Sequence, residues 1–211
     1  MRYLVRLLGS ALLLPSLVLL VGCAATGESV TAGGVAESGK GDVPSFTGPW
    51  AEDFSYMYGK ATTDFERKVL VDEKVSDAEF AEMESRFRAC LSSYQIIFSG
   101  FKPGGGFSFD FPEGMGSEKA NKLTDDCSAS SGLSTVGSLY FMVQKNPQHL
   151  NEATIMVECL AKKQVVPPGY SASDYDRDTP TMSFPFENKD LGKKALEECS
   201  ADPLGLLTQS K

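Results

Sequence analysis

The sequence predicts a mainly α, small disulfide-bonded helical domain with an internal duplication and at most a minor β-hairpin. Three observations carry that expectation. Apolar residues recur at helical spacing through most of residues 49–199, four cysteines in the same stretch make an even set, and a cysteine-centred pattern occurs twice.

The repeat is the most informative of the three. Cys90-Leu91-x-x-x-Gln95-Ile96-Ile97-x-x-Gly100-Phe101 matches Cys159-Leu160-x-x-x-Gln164-Val165-Val166-x-x-Gly169-Tyr170. Each copy continues into alternating aromatics, Phe107/Phe109/Phe111 and Phe184/Phe186, and closes on a second cysteine: KLTDDCSA (122–129) parallels KALEECSA (194–201). The units span about 77–129 and 146–201. Four cysteines allow three connectivities. The simplest account of the repeat is that each copy closes itself, through Cys90–Cys127 and Cys159–Cys199.

The elements follow in order. Pro49 suits the first position of a helix. Trp50, Phe54, Met57/Tyr58, Ala61, Phe65 and Val69 then predict one amphipathic helix over 49–72. Ser76 and Glu79 form a capping box before the stripe Phe80, Met83, Phe87, Cys90/Leu91 and Tyr94. Residues 102–116, rich in Gly, Pro and Phe, predict a loop with a short extended piece at 107–111, and at most a small pair of strands is expected, where the two phenylalanine segments could meet. A short helix at 118–127 and another at 134–145 come next. Asn146-Pro147 opens a helix to about 164, with Leu150, Ala153, Val157 and Leu160 inward. Ser171-x-x-Asp174 signals a helical turn, and 188–199 is the last helix before a tail at 206–211.

Ahead of this domain, expected over 46–205, lies a different kind of segment. Arg2 and Arg6 precede an apolar run, Leu7 to Val21, too short to span a membrane comfortably, which takes about 20 apolar residues. It ends in Leu20-Val21-Gly22-Cys23, which resembles the lipobox of bacterial lipoproteins. The reading is a signal peptide at 1–22 with Cys23 acylated, which implies a diacylglycerol anchor on the extracytoplasmic face of the cell membrane. An ordinary cleaved signal or an uncleaved anchor are the competing readings. Residues 23–45, small, polar and glycine-rich, form a flexible tether of roughly 25 Å average reach.

Composition bounds the partners. The net charge of −8 becomes −10 once Arg2 and Arg6 are removed. Such a chain lacks the electrostatic footprint of a nucleic-acid binder, and the lipid must supply the membrane attachment. A partner protein in the envelope or a transporter is the remaining expectation.

Motifs that carry chemistry are scarce. Counting an EF-hand back from Glu79 puts Lys68 and Leu70 where calcium ligands are required. Gly104-Gly105-Gly106 lacks the Lys-Ser/Thr of a phosphate loop. Asp174, Asp176 and Asp178 flank Arg177 and read as a solvated turn. His149, the single histidine, is expected exposed near a helix start, with no nucleophile elbow in the sequence. No catalytic residue, metal site or cofactor is expected. The aromatics Phe107, Phe109, Phe111, Tyr170, Phe184 and Phe186 are either the joint core of the two copies or an apolar groove that takes a ligand or partner.

Three segments, DFERKVLVDEKVSDAEFAE running into Cys90, NPQHLNEATIMVECLAKKQVVPPGY, and EECSADPLG, together with the lipobox, resemble a group of lipoproteins from high-GC Gram-positive bacteria. The chain departs from that group at Lys68 and Gln95, where glycine is expected. The resemblance implies the location and the disulfides and brings no catalytic residues. The expected function is therefore a non-catalytic binding or accessory module of the cell envelope. A hydrolase using paired carboxylates and a purely structural surface protein are the alternatives.

Overall fold

A computed structural model describes residues 43–207. Cys23, the expected signal peptide and nearly all of the expected tether lie outside the described residues. Among those described, no helix is long and apolar enough to cross a membrane.

The single helix expected over 49–72 is two helices, α1 (Ala51–Lys60) and α2 (Asp64–Leu70). The break falls at Ala61–Thr63. The Thr63 side chain accepts the Glu66 N–H while the Glu66 carboxylate takes the Thr63 N–H, so a capping box restarts the helix where apolar spacing shows no interruption. Pro49 lies one residue ahead of the cap Trp50, outside the helix.

Helix α3 (Asp77–Ser93) begins at the predicted Ser76–Glu79 capping box. It buries Met83, Phe87 and Leu91 completely, while Tyr94 at its end faces solvent. Gln95 then turns the chain with φ 61°, and the Ile96 N–H returns to the Leu91 carbonyl, closing the helix end as a left-handed cap does. Glycine takes that conformation most readily, which accounts for the glycine expected at position 95.

Strands β1 (Ile97–Phe101) and β2 (Phe107–Asp110) form an antiparallel hairpin, with Ile97 opposite Asp110 and Phe98 opposite Phe109. This corrects the expected pairing between the two phenylalanine segments, because both strands belong to the first copy. Helix α4 (Ser117–Ser131) extends beyond 118–127 and brings Cys127 to Cys90, Cα to Cα 5.6 Å. A π-helical turn (Leu133–Gly137) leads into α5 (Ser138–Lys145).

Helix α6 (Glu152–Lys162) starts later than expected. Asn151 supplies its cap by accepting the Thr154 N–H, and Asn146-Pro147 forms a turn before it. The inward stripe is accordingly Ala153, Ile155/Met156 and Cys159/Leu160, with Leu150 exposed. Helix α7 (Ala172–Asp178) starts from a Ser171–Asp174 capping box. Helix α8 (Lys189–Ala201), capped by Asn188, carries Cys199 to Cys159, Cα to Cα 5.8 Å.

Two apolar clusters result. The larger joins Trp50, Phe54, Leu70, Met83, Phe87, Leu91, Ile96, Phe98, Val136 and Leu139 across α1–α5 and the hairpin. The smaller, Met156, Cys159, Leu160, Ala195 and Cys199, lies between α6 and α8. One carboxylate is buried beside the larger cluster. Glu66, 1% exposed, accepts from Thr135 Oγ1 at 2.7 Å, from Thr63 N at 2.8 Å and from Thr62 N at 2.9 Å. Burial pushes its pKa up, but these donors outweigh burial and hold it below the usual value of 4.5.

Candidate functional site

The structure separates the six aromatics expected to form a site. Phe107 and Phe109 pack on the larger cluster, where the Phe87 and Phe107 rings lie 5.3 Å apart. Phe111, 41% exposed, continues from Phe109 at 6.2 Å. Phe186 packs on the smaller cluster, and Phe184 lies between Tyr175 and Phe186 at 5.5 and 5.3 Å. The Tyr170 hydroxyl donates to Asp178 at 3.0 Å, and burial together with that carboxylate raises its pKa. No ring contact joins the first set to the second among the described residues, so the aromatics form neither a joint core nor one groove.

What the two copies do build together is a cleft at their seam. The β1–β2 connection, Pro103–Gly105, approaches the end of α8 so closely that a Cβ on Gly104 would lie 2.6 Å from Ala201 Cα. Gly104 also has φ 79°, so glycine satisfies both the turn and the approach. Beside this contact opens a cavity of about 810 Å³. Lys102 and Pro103 come from the first copy, the ends of α6 and α8 from the second, and residues 202–207 complete it. The Asp202 carboxylate shapes that last segment by accepting the Leu206 and Leu207 N–H groups at 2.7 and 3.0 Å. The lining is mostly apolar, with Cys159, Ala201, Pro203, Leu204 and Leu207 among its members.

Charge at the cleft is unevenly paired. Lys163 holds Glu198 at 2.5 Å, and that ammonium draws the Glu198 pKa down. Lys102, Lys162 and Glu197 have no ion-pair partner among the described residues. The carbonyls at the end of α6 are occupied, since Lys163, Gln164 and Val165 N–H groups bond to Cys159, Ala161 and Leu160.

A second cavity, about 520 Å³, surrounds His149. This histidine sits in the turn before α6, at φ 51°, and not on a helix as its sequence position suggested. Its ring packs against Trp50, centroid to centroid 4.0 Å with the planes tilted by 35°. Nδ1 lies 2.9 Å from the Pro49 carbonyl, which can only accept, so Nδ1 carries a proton; Nε2 faces Asp53 Oδ2 at 3.5 Å. Trp50 Nε1 donates to the Asn146 carbonyl at 3.0 Å. No serine, threonine or cysteine lines this cavity. A histidine without a hydroxyl or thiol beside it is a fastening, not half of a nucleophilic pair.

What His149 fastens is the segment that follows the expected tether. Its Pro49 contact is joined by Glu73, whose carboxylate accepts the Thr47 and Gly48 N–H groups, the second at 2.6 Å. Phe46 packs against Phe54 and Tyr58.

The remaining motifs have structural uses. Asp174 caps α7 and pairs with Arg177 at 2.7 Å, and its pKa falls to about 2 through the Ser171 hydrogen bonds and Arg177. Asp178 also holds Arg177, at 2.9 Å. Among the described residues no group of three or more His, Cys, Asp or Glu side chains could hold a metal ion.

Sequence reasoning missed the cleft and the His149 fastening. Only the Lys162-Lys163 doublet after Cys159-Leu160-Ala161 marked the first, since the residues of its other wall lie 60 positions earlier. Comparison with known proteins finds no matching family model, no similar curated protein and no similar solved structure.

Proposed function

We propose that the protein is an extracytoplasmic lipoprotein, anchored through a diacylglycerol on Cys23, whose folded domain is a non-catalytic binding module of the cell envelope that presents the cleft between its two copies. The observation that carries the binding half is the cleft itself. It is concave, mostly apolar, of a size suited to a small ligand, and built by both copies. The lipobox-like ending of the first 23 residues carries the anchoring half.

The hydrolase reading finds less support. A glycosidic general acid needs a carboxyl whose pKa is raised. The displaced carboxylates here, Glu66, Asp174, Asp178 and Glu198, are all pushed down. A purely structural role leaves the cleft without a use.

Two measurements test the reading. Mass spectrometry of protein from native membranes is expected to give a chain beginning at Cys23 with a lipid adduct, and a chain retaining residues 1–22 overturns the anchor. A photo-crosslinker at Glu197, on the cleft wall, is expected to capture a specific molecule in intact cells that the same group at Glu118 on α4 does not. Identical capture at both positions overturns the cleft as the binding surface.

A further inference from the structure

Resting on the reading of the cleft as the binding surface, we infer that its ligand is a small uncharged molecule with an alkyl body. The lining supports both parts of that description. Its contact surface is aliphatic, from Pro103, Ala201, Pro203, Leu204 and Leu207. Among the described residues that line it there is no aromatic ring for a sugar or a base to stack on, and no hydroxyl or amide side chain to read a polar group. The polar side chains present are charged, and they cancel: Lys102, Lys162 and Lys163 stand against Glu197, Glu198 and Asp202. An ionic ligand group of either sign meets as many like charges as opposite ones, and gains no net attraction to offset the water it gives up. The backbone around the cleft is also engaged within the chain. Asp202 takes the Gly205 N–H on its carbonyl and the Leu206 and Leu207 N–H groups on its carboxylate. The Asp202 N–H returns to the Glu198 carbonyl, and the N–H groups after α6 return to Cys159, Leu160 and Ala161. A ligand is left with aliphatic contact, which is favourable because it removes apolar surface from water.

Decanol, decanoate, decylammonium and the zwitterionic α-aminodecanoate share an alkyl body and differ in charge. Each is titrated against bound phenylnaphthylamine, an uncharged fluorescent reporter, on residues 23–211 with Cys23→Ser so that no attached lipid competes. Decanol is expected to displace the reporter at a concentration roughly ten-fold lower than any of the three charged probes. K102E/K162E leaves one lysine against five carboxylates in the lining, and is expected to tighten decylammonium by roughly five-fold without changing decanol. Leu204→Glu is expected to weaken decanol by roughly five-fold or more. No binding of the reporter, a decylammonium affinity indifferent to K102E/K162E, or a decanol affinity indifferent to Leu204→Glu overturns the cleft as the binding surface and the inference with it. A charged probe that equals or exceeds decanol on the parent, with the response to K102E/K162E intact, overturns the uncharged ligand and leaves the cleft standing. Circular dichroism and the unfolding midpoint guard against misfolding: K102E/K162E is expected to match the parent because both side chains are exposed, and it carries the test by itself where Leu204→Glu lowers the midpoint.

Discussion

After Gly100 the first copy runs on as a strand, turns through Pro103–Gly105 and returns as β2, whereas after Gly169 the second copy enters α7. The ends of the two copies are alike. Gln95 and Gln164 both take left-handed φ, 61° and 56°, and Ile96 and Val165 return N–H groups to Leu91 and Leu160. Cys127 and Cys199 each lie ten residues into their helix, counted from Ser117 and Lys189. The middles diverge at two residues. Where the first copy has Phe98-Ser99 the second has Pro167-Pro168, which cannot donate to a strand ladder. Ser171 and Asp174 then cap a helix in the place where Lys102 and Pro103 turn the hairpin. A shared frame of helix end, turn and disulfide therefore tolerates either a strand pair or a helix between its fixed points.

The difference reaches the cores. The hairpin gives the first copy Phe98, Phe101 and Phe107 around Phe87, with ring centroids 5.2–6.1 Å from it. The second copy buries few large side chains and relies on its disulfide. The two closed loops are nearly equal in length, with separations of 37 and 40 residues. Chain entropy alone makes either bridge worth about 4 kcal/mol. Serine substitution of each pair should thus cost similar amounts by that account, yet have different reach. Loss of Cys159–Cys199 is expected to remove hydrogen-exchange protection throughout α6–α8 while α3 and α4 keep theirs. Loss of Cys90–Cys127 is expected to lower protection in α3–α4 without unfolding them. Equal local unfolding in both variants would break the comparison.

A smaller contrast concerns the capping carboxylates. Glu66 is buried and serves both its own helix and Thr135, so Glu66→Gln is expected to cost about 2–3 kcal/mol in chemical denaturation, as charged hydrogen bonds do. Because its folded pKa lies below 4.5, the stabilisation is fully present above that pH and is lost as pH falls through the folded value. An acid titration of the parent should therefore show a loss below pH 4.5 that Glu66→Gln lacks. Asp174 has the same direction of shift but is accessible to solvent. Its contribution is lost between its ordinary 3.8 and about 2, and Asp174→Asn is expected to loosen only α7. Exchange rates for residues 172–178 measure that, and a global drop in stability would show that α7 is more deeply coupled than its exposure indicates.

Several of these features are legible in the residue order itself. The caps at Ser76 and Ser171 are short patterns whose donors and acceptors lie three residues apart, so the sequence carries their geometry. The fully buried stripe Met83, Phe87 and Leu91 is equally plain. Thr63–Glu66 is a capping box too, but it is concealed inside an apolar periodicity that continues unbroken from Trp50 to Val69. His149 carries no local signal, because its partners Pro49 and Asp53 are about 100 residues away.

The sequence alone determined the mainly helical class and the capping boxes at Ser76 and Ser171, which rest on neighbours within a few positions. Tertiary structure alone decided that the two aromatic sets stay apart, that Glu66 is buried as a hydrogen-bonded carboxylate, and that Lys102 and Lys162 border one cleft. Those outcomes depend on how Gly104 meets Ala201 and how α6 meets α8, contacts between distant parts of the chain that no local spacing encodes.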